Sequence, residues 1–141
     1  MKTVICDLDG TLFNIDHRLH FLDKKDWDGF FAAVSDDTPN EWCVELLNAL
    51  ELAGHEVVFV SGRNEVARLE TEKQLNALGL QGRLFMRDAE DRRPDFELKK
   101  SYYQKALYRK DILFVIEDRT QVVEMWRAQG LTVLQCDEGS F

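Results

Sequence analysis

Short apolar runs alternate along the chain with longer segments in which apolar residues recur every three or four positions. The short runs are rich in Val, Ile, Leu and Phe and barely alternate with polar residues, which is typical of strands buried on both faces. The pattern therefore predicts five strands: Thr3–Cys6, Glu56–Val60, Arg83–Met86, Ile112–Ile116 and Thr132–Gln135.

Segments with helical periodicity fill the intervals between the predicted strands. They predict helices over residues 42–50, 66–78, 102–108 and 122–128. Gly54 and Gly79 follow the first two, as expected of glycines just past a helix. Strands and helices in this alternation form a doubly wound, Rossmann-like α/β fold, with a parallel five-stranded sheet and helices on both faces. We expect a single domain over residues 1–141, a length sufficient to bury a hydrophobic core.

The segment 13–40 departs from the alternation and is rich in His, Asp and aromatic residues. Within it, residues 26–34 predict a short helix with its aromatic residues on one side: Trp27, Phe30 and Phe31. The segment is too short for a separate domain, so we expect a small lid over the end of the first strand. His17 and His20 would suit a metal ion, but the lack of a third ligand favours packing or substrate contact.

Composition limits the class of protein. Hydrophobic residues make up 45% of the chain, and no apolar run approaches the roughly eighteen residues of a membrane span. The chain enters a strand at once and shows no signal peptide, which predicts a cytoplasmic protein without a membrane partner. Cys6, Cys43 and Cys136 are scattered, without metal-binding spacing, and are expected to be reduced core residues.

Charge is distributed unevenly along the chain. The formal net charge of −8 argues against a general nucleic-acid binder. Residues 83–110, however, contain nine basic and five acidic residues, a net charge of +4. Basic residues near an acidic site favour an anionic substrate, although a solvated helix surface explains the count equally well.

Polar residues follow the predicted strands at their carboxyl ends, where ligands bind in open parallel sheets. They are Asp7-Leu8-Asp9 after the first strand, Ser61-Gly62-Arg63 after the second, Arg87 after the third and Glu117-Asp118-Arg119 after the fourth. Acids, a hydroxyl, a glycine and cations from separate stretches should therefore meet at one edge of the sheet.

The carboxylates at this edge predict a metal site. Asp7 and Asp9 lie on the same side of an extended chain, and Gly10 permits a sharp turn after them. Two carboxylates this close repel unless a cation or a shared proton lies between them, and carboxylate oxygens suit Mg²⁺. The expected magnesium ligands are Asp7, Asp9, Asp118 and Glu117. Taken alone, the first pair would also fit a polar turn that caps the strand.

Candidate phosphate contacts come from two further segments. Ser61-Gly62-Arg63 offers a hydroxyl, backbone N–H groups near a helix start and a guanidinium, although a simple helix cap has the same pattern. Lys99 lies near another predicted helix start. Either it points into the site and neutralises phosphate charge, or it pairs on the surface with Asp95, four residues earlier. Its neighbour Lys100 is the alternative cation.

These motifs occur in order over the whole chain: Asp7-Leu8-Asp9-Gly10-Thr11, Ser61, Lys99 and Glu117-Asp118. They resemble the four motifs of the haloacid dehalogenase superfamily of phosphatases. The fourth motif is usually an Asp pair, so Glu117 leaves the direct metal ligand open; Asp118 is preferred, with Glu117 behind it. Several segments are also similar to the 3′-phosphatase domain of bacteriophage polynucleotide kinase/3′-phosphatase: residues 61–63, 95–99, 117–127 and 139–141.

The resemblance implies a phosphomonoesterase that requires Mg²⁺. Asp7 would attack phosphorus and form an aspartyl-phosphate, while Asp9 would protonate the leaving alkoxide and then activate water. Ser61, Arg63 and Lys99 would offset the charge of the transferring phosphoryl group. The other predicted substrate contacts are Thr11, Gly62, Asp95, Arg92 and Arg93.

Three functions stay open. The first is a polynucleotide 3′-phosphatase acting on a phosphorylated nucleic-acid end, and the second is a small-molecule phosphatase such as a 5′-nucleotidase. The third is a non-catalytic module that binds Mg²⁺ or a nucleotide. No Walker A P-loop motif occurs in the sequence, so this chain is not expected to be a kinase.

Overall fold

The computed structural model describes residues 1–139, which contain a five-stranded parallel sheet and a small two-stranded antiparallel sheet. In chain order the strands are β1 (Thr3–Cys6), β2 (Phe13–Asn14), β3 (Thr38–Pro39), β4 (Glu56–Asn64), β5 (Arg83–Arg87), β6 (Ile112–Arg119) and β7 (Val133–Gly139). The large sheet has the order β5-β4-β1-β6-β7. The predicted doubly wound α/β fold is confirmed. Ser140 and Phe141 lie outside the described residues.

The helices are α1 (His20–Asp23), α2 (Trp27–Ala32), α3 (Glu41–Leu52), α4 (Arg68–Ala77), α5 (Asp95–Tyr102) and α6 (Thr120–Ala128). A π-helical turn, Tyr103–Leu107, continues α5. The helix predicted over 102–108 is the end of a longer helical segment. Pro94 supplies the carbonyl that accepts from the N–H of Leu98, so α5 begins at Asp95, close to the helix start that was expected near Lys99.

The core explains why β1 does not alternate between apolar and polar residues. Val4 and Cys6 of β1 belong to the cluster on one side of the sheet, together with Leu47 of α3. Ile5 belongs to the other cluster, together with Trp126 of α6. Successive residues of a strand point to opposite faces, and here both faces are covered by helices.

The cysteines differ in their environment. Cys6 and Cys43 are buried free thiols, as predicted. Cys136 is exposed, so the prediction that it is a core residue was wrong. It lies on β7, an edge strand, where only one neighbouring strand covers the backbone.

The strands that reach the site are longer than predicted. β4 and β6 each continue past their apolar run into polar residues, Ser61–Asn64 and Glu117–Arg119. The pairing register shifts in both extensions, between Val60 and Asn64 and between Glu117 and Arg119. Such irregularities at a sheet edge redirect side chains, here toward the carboxyl end of β1.

The segment 13–40 folds as an insertion after β1. The β2–β3 pair closes its base, and Asp26 caps α2 by accepting a hydrogen bond from the N–H of Gly29. The rings of α2 contact one another as predicted: Trp27, Phe30 and Phe31.

The two histidines of the insertion have separate partners. His17 contacts Asp37, with 2.6 Å between Nε2 and Oδ1, whereas the ring of His20 packs against Phe21. Neither histidine belongs to the cluster of described residues that could hold a metal ion.

Candidate active site

Asp7 lies at the end of β1, where Lys99 and Thr11 hold its carboxylate. The Lys99 ammonium donates to Asp7 Oδ1 at 2.8 Å and to Glu117 Oε2 at 2.9 Å, and the Thr11 hydroxyl donates to Asp7 Oδ2 at 3.0 Å. Lys99 is only 1% exposed. It therefore points into the site, and the neighbouring Lys100 is exposed.

The alternative to this position, a surface pair of Asp95 with Lys99, does not occur. The Asp95 carboxylate instead accepts hydrogen bonds from Arg87 at 2.6 Å and from Arg119 at 2.8 Å. The two arginines come from the carboxyl ends of β5 and β6, so one carboxylate binds guanidinium groups from two separate strands of the sheet. Asp95 also lies against Gly62, where an added Cβ would overlap its carboxylate.

A cluster of three buried carboxylates could hold a metal ion. Asp7, Glu117 and Asp118 each offer an oxygen within 4.8 Å of the others. Glu117 Oε1 accepts from the backbone N–H groups of Asp118 and Arg119, and Oε2 accepts from Lys99. Among the described residues, only the Thr11 hydroxyl donates a hydrogen bond to the Asp118 side chain. Asp118 therefore has a greater capacity than Glu117 to bind a cation.

The pKa values of these carboxyl groups show the electrostatic strain of the cluster. Burial raises the pKa of Asp118 to about 10, and the neighbouring Asp7 and Glu117 add to the effect. Burial and Asp7 raise the pKa of Glu117 to about 7. Burial also opposes ionisation of Asp7, but the charge of Lys99 and the hydrogen bonds with Lys99, Asp118 and Glu117 together outweigh it, so the pKa of Asp7 is lowered. Three carboxyl groups facing one ammonium fit a site for a divalent cation.

Two glycines allow Asp118 its position. A Cβ on Gly10 or on Gly139 would overlap the Asp118 carboxylate. Gly10 also has a φ of +83°, which favours glycine. The predicted turn at Gly10 thus serves a second purpose, since it leaves room for a side chain from β6.

Asp9 is held apart from the acidic cluster. Its Oδ1 accepts from Arg18 Nη2 and from Arg63 Nε, both at 2.8 Å. The same two guanidinium groups donate to Oδ2 of Asp37, at 2.8 Å from Arg18 and 2.7 Å from Arg63. All side chains of this network except Asp9 are fully buried. The structure therefore does not place the Asp9 carboxylate with the expected metal ligands.

Arg63 also differs from its expected role as a phosphate clamp. Besides its bonds to Asp9 and Asp37, it donates to Thr71 at 2.9 Å and to Gln74 at 2.8 Å. The nearby Ser61 is 1% exposed, and its hydroxyl accepts from the N–H of Arg63. Both residues lie beside the site, but the nitrogen atoms of the Arg63 guanidinium already have protein partners.

Arg18 and Asp37 are site residues that the sequence did not reveal. They lie 19 residues apart in the insertion, and Arg63 joins them from β4. The available signal was a basic residue in an aromatic, acid-rich segment, because a buried cation requires carboxylate partners.

A cavity of about 640 Å³ opens above Asp7 and Asp9. The insertion lines one part of it, and residues 87–95 together with Arg119 line another. Arg93 is held by Asp91, with 2.7 Å between its Nη2 and the carboxylate. Arg92 is exposed and makes no hydrogen bond or ion pair with the residues described.

Fold and site together define a haloacid dehalogenase-type hydrolase, a phosphatase acting on phosphoric monoesters. Within that class, the family model for the polynucleotide kinase PNKP phosphatase domain matches residues 1–141. The chain belongs to this family.

Solved structures agree with this assignment. The chain is 31% identical to a chain of the Pnkp1/Rnl/Hen1 RNA repair complex, with a TM-score of 0.86 over 99% of this chain and 43% of that one. A second structure of a Pnkp1/Rnl/Hen1 complex gives 31% identity and a TM-score of 0.84 over 99% of this chain and 47% of that one. The chain thus spans less than half the length of these relatives.

More distant structures share the fold. The class C acid phosphatase from Bacillus anthracis with tungstate bound is 16% identical, with a TM-score of 0.70 over 99% of this chain and 68% of that one. Among residues 1–139, no helix has the length and apolar character needed to cross a bilayer.

Proposed function

We propose that residues 1–141 act as one Mg²⁺-dependent phosphatase domain that removes the 3′-phosphate from a polynucleotide end. The observation that carries this proposal is the Asp7 carboxylate, which is ionised, held by Lys99 and Thr11, and placed at the base of an open cavity. Similarity to a chain of an RNA repair complex supports an RNA end as the substrate. The free thiols of Cys6 and Cys43 suit a reducing cytoplasm.

Asp7 is the proposed nucleophile. A carboxylate oxygen attacks phosphorus in line, so that the new bond joins Asp7 to phosphorus while the bond to the sugar 3′-oxygen breaks. The lowered pKa of Asp7 keeps the carboxylate ionised, and Lys99 fixes its orientation through Oδ1. Lys99 also lies where it offsets negative charge on the phosphoryl group.

Asp9 is the proposed general acid and base. Arg18 and Arg63 both bind Oδ1, while Oδ2 has no hydrogen bond from residues 1–139. Oδ2 is thus the oxygen available to give a proton to the leaving alkoxide. After that transfer the Asp9 carboxylate can take a proton from water, which then attacks the phosphorus of the aspartyl-phosphate and regenerates Asp7.

The carboxylates of Asp7 and Asp118 would hold the Mg²⁺, with Glu117 behind them. Glu117 uses both oxygens for Lys99 and backbone N–H groups, which supports this assignment. When bound, Mg²⁺ would offset the charge on the phosphoryl oxygens. Thr11 orients both ligands, since its hydroxyl lies 3.0 Å from Asp7 and 3.2 Å from Asp118.

Arg92 is the proposed contact for the phosphate that precedes the terminal nucleotide. It lines the cavity with an exposed guanidinium, whereas Arg93 and Arg87 are bound to Asp91 and Asp95. The rival substrate, a mononucleotide, is favoured by one observation: aromatic residues of the insertion line the cavity and could hold a single base.

The test is phosphate release with and without Mg²⁺ from three substrates: a 3′-phosphorylated oligoribonucleotide, its 5′-phosphorylated counterpart and free mononucleotides. The proposal expects the highest kcat/KM on the 3′-phosphorylated oligonucleotide, and no release by Asp7→Asn. Preference for a mononucleotide would overturn the substrate, and full activity of Asp7→Asn would overturn the mechanism.

A further inference from the structure

The lining of the cavity above Asp7 has two chemically different parts. The insertion contributes apolar and acidic residues and, among the described residues, no cation: Leu22, Trp27, Asp28, Phe30 and Phe31. The strand ends and the segment from residue 87 to residue 95 contribute four cations, Arg87, Arg92, Arg93 and Arg119, against two carboxylates, Asp91 and Asp95, so this part keeps a positive excess. A ligand with an apolar, aromatic group and several phosphates matches this division.

Trp27 is the exposed aromatic residue of the apolar part. Its relative exposure is 54%, although its ring packs on two others. The Phe30 ring meets it edge-on at 86°, and the Phe31 ring lies nearly parallel, with centroids 6.2 Å apart. Trp27 is the first residue of α2, directly after the Asp26 cap, so the backbone beneath it is fixed. The indole is therefore supported from the protein side and open to the cavity.

We propose that Trp27 is the stacking platform for the nucleobase of the 3′-terminal nucleotide, an inference that rests on the proposed function. Aromatic side chains bind any base through its π-face, so the platform would be tolerant of sequence. Asp28 beside it disfavours a phosphate in this part of the cavity and leaves the arginine-lined part for the backbone. Trp27 would then place the terminal nucleotide with its 3′-phosphate toward Asp7.

The experiment compares Trp27→Ala, Trp27→Phe and the control Trp42→Ala. Trp42 is similarly exposed, at 46%, but does not line the cavity. The substrates are a 3′-phosphorylated oligonucleotide and the same oligonucleotide with an abasic terminal nucleotide. We expect Trp27→Ala to raise KM for the base-bearing substrate about tenfold, a typical loss for one stacked base, and to leave KM for the abasic substrate unchanged. Trp27→Phe should recover most of the affinity, and Trp42→Ala should match wild type.

Equal effects of Trp27→Ala on both substrates, or no effect on either, would overturn the platform. Circular dichroism checks that each variant is folded. If Trp27→Ala is unfolded, Trp27→Phe, which keeps an aromatic ring, provides the comparison with wild type. The two proposals fail separately. If wild type acts only on mononucleotides, the polynucleotide function fails. Comparing Trp27→Ala with wild type on a nucleotide and on ribose phosphate then still decides whether Trp27 binds a base.

A binding measurement provides an independent readout. In an Asp7→Asn background, a 3′-phosphorylated oligonucleotide should quench tryptophan fluorescence. Trp126 is buried and Trp42 does not line the cavity, so the quenching should come from Trp27 and disappear in Trp27→Phe. Quenching that persists in that variant would contradict the proposal.

Discussion

Lys99 donates a 2.8 Å hydrogen bond to Asp7 although the two residues are 92 positions apart in the chain. Its second bond reaches Glu117, so one buried ammonium lies between two buried carboxylates. We expect Lys99→Met to lower the free energy of unfolding by about 3–5 kcal/mol without Mg²⁺, because it leaves buried charges uncompensated. kcat should fall at least about 100-fold. The exposed neighbour provides the control: Lys100→Met should change neither quantity. Wild-type stability of Lys99→Met would contradict the role of this pair.

Asp9→Asn should show a dependence on the leaving group. An amide cannot protonate a sugar alkoxide, whereas an aryl phosphate leaves without a proton. We therefore expect a loss of about 100-fold or more on a 3′-phosphorylated oligonucleotide and a much smaller loss on p-nitrophenyl phosphate. Asp7→Asn should abolish the hydrolysis of both. Equal losses on both substrates in Asp9→Asn would argue against Asp9 as the acid.

Gly10→Ala should weaken Mg²⁺ binding. The added Cβ would overlap Asp118, which must then move away from Asp7. Gly79→Ala is a matched control, because Gly79 has a similar φ of +73° but no atom within 4 Å of an added Cβ. Both variants carry the backbone strain, and only Gly10→Ala should raise the Mg²⁺ concentration that gives half-maximal activity. If the two variants need the same Mg²⁺ concentration, the glycine at position 10 is required only for its positive φ and not to leave room for Asp118.

The effect of Mg²⁺ on stability should depend on pH. In the metal-free protein the pKa of Asp118 is raised to about 10, so this group favours the folded state at low pH, and that contribution is lost as the pH rises. Mg²⁺ requires the ionised carboxylate, and its binding displaces the proton. We expect the Mg²⁺-induced rise in Tm to be larger at about pH 9 than at about pH 6, and Asp118→Asn to remove most of the difference. An equal rise at both pH values would count against Asp118 as a ligand.

Features that depend on a local pattern could be predicted from the sequence alone. Apolar runs located β1, β4, β5 and β6, since their apolar residues pack into the clusters on the two faces of the sheet. The carboxyl ends of these strands then brought Asp7 and Asp118 together, as expected of any parallel sheet. Lys99 was correctly placed near a helix, but only the structure distinguished a residue pointing into the site from a surface pair.

Features that depend on contacts between distant segments were not predicted. Asp37 lies in a polar stretch at the end of the insertion and looks like a surface residue, yet it is fully buried between Arg18 and Arg63. Arg63 lies after an apolar run and was expected to bind phosphate, but its guanidinium donates hydrogen bonds to Asp9 and Asp37 instead. No local pattern encodes which carboxylate a buried arginine will meet.

Arg92→Ala and Arg93→Ala should have different effects, although nothing in the sequence distinguishes the two arginines. The Arg93 guanidinium is bound by Asp91, whereas Arg92 is exposed in the cavity lining without a partner among residues 1–139. Each phosphate neutralised on a single strand contributes about −0.7 to the slope of log affinity against log salt. Arg92→Ala should therefore raise KM for a 3′-phosphorylated oligonucleotide and make this slope less steep by about 0.7, with mononucleotide hydrolysis unchanged. Arg93→Ala should leave the slope close to that of wild type.

KM measurements for both substrates at several salt concentrations provide the comparison. If Arg92→Ala affects the two substrates equally, Arg92 holds the terminal nucleotide itself, and the evidence for a polynucleotide substrate is reduced to the family assignment.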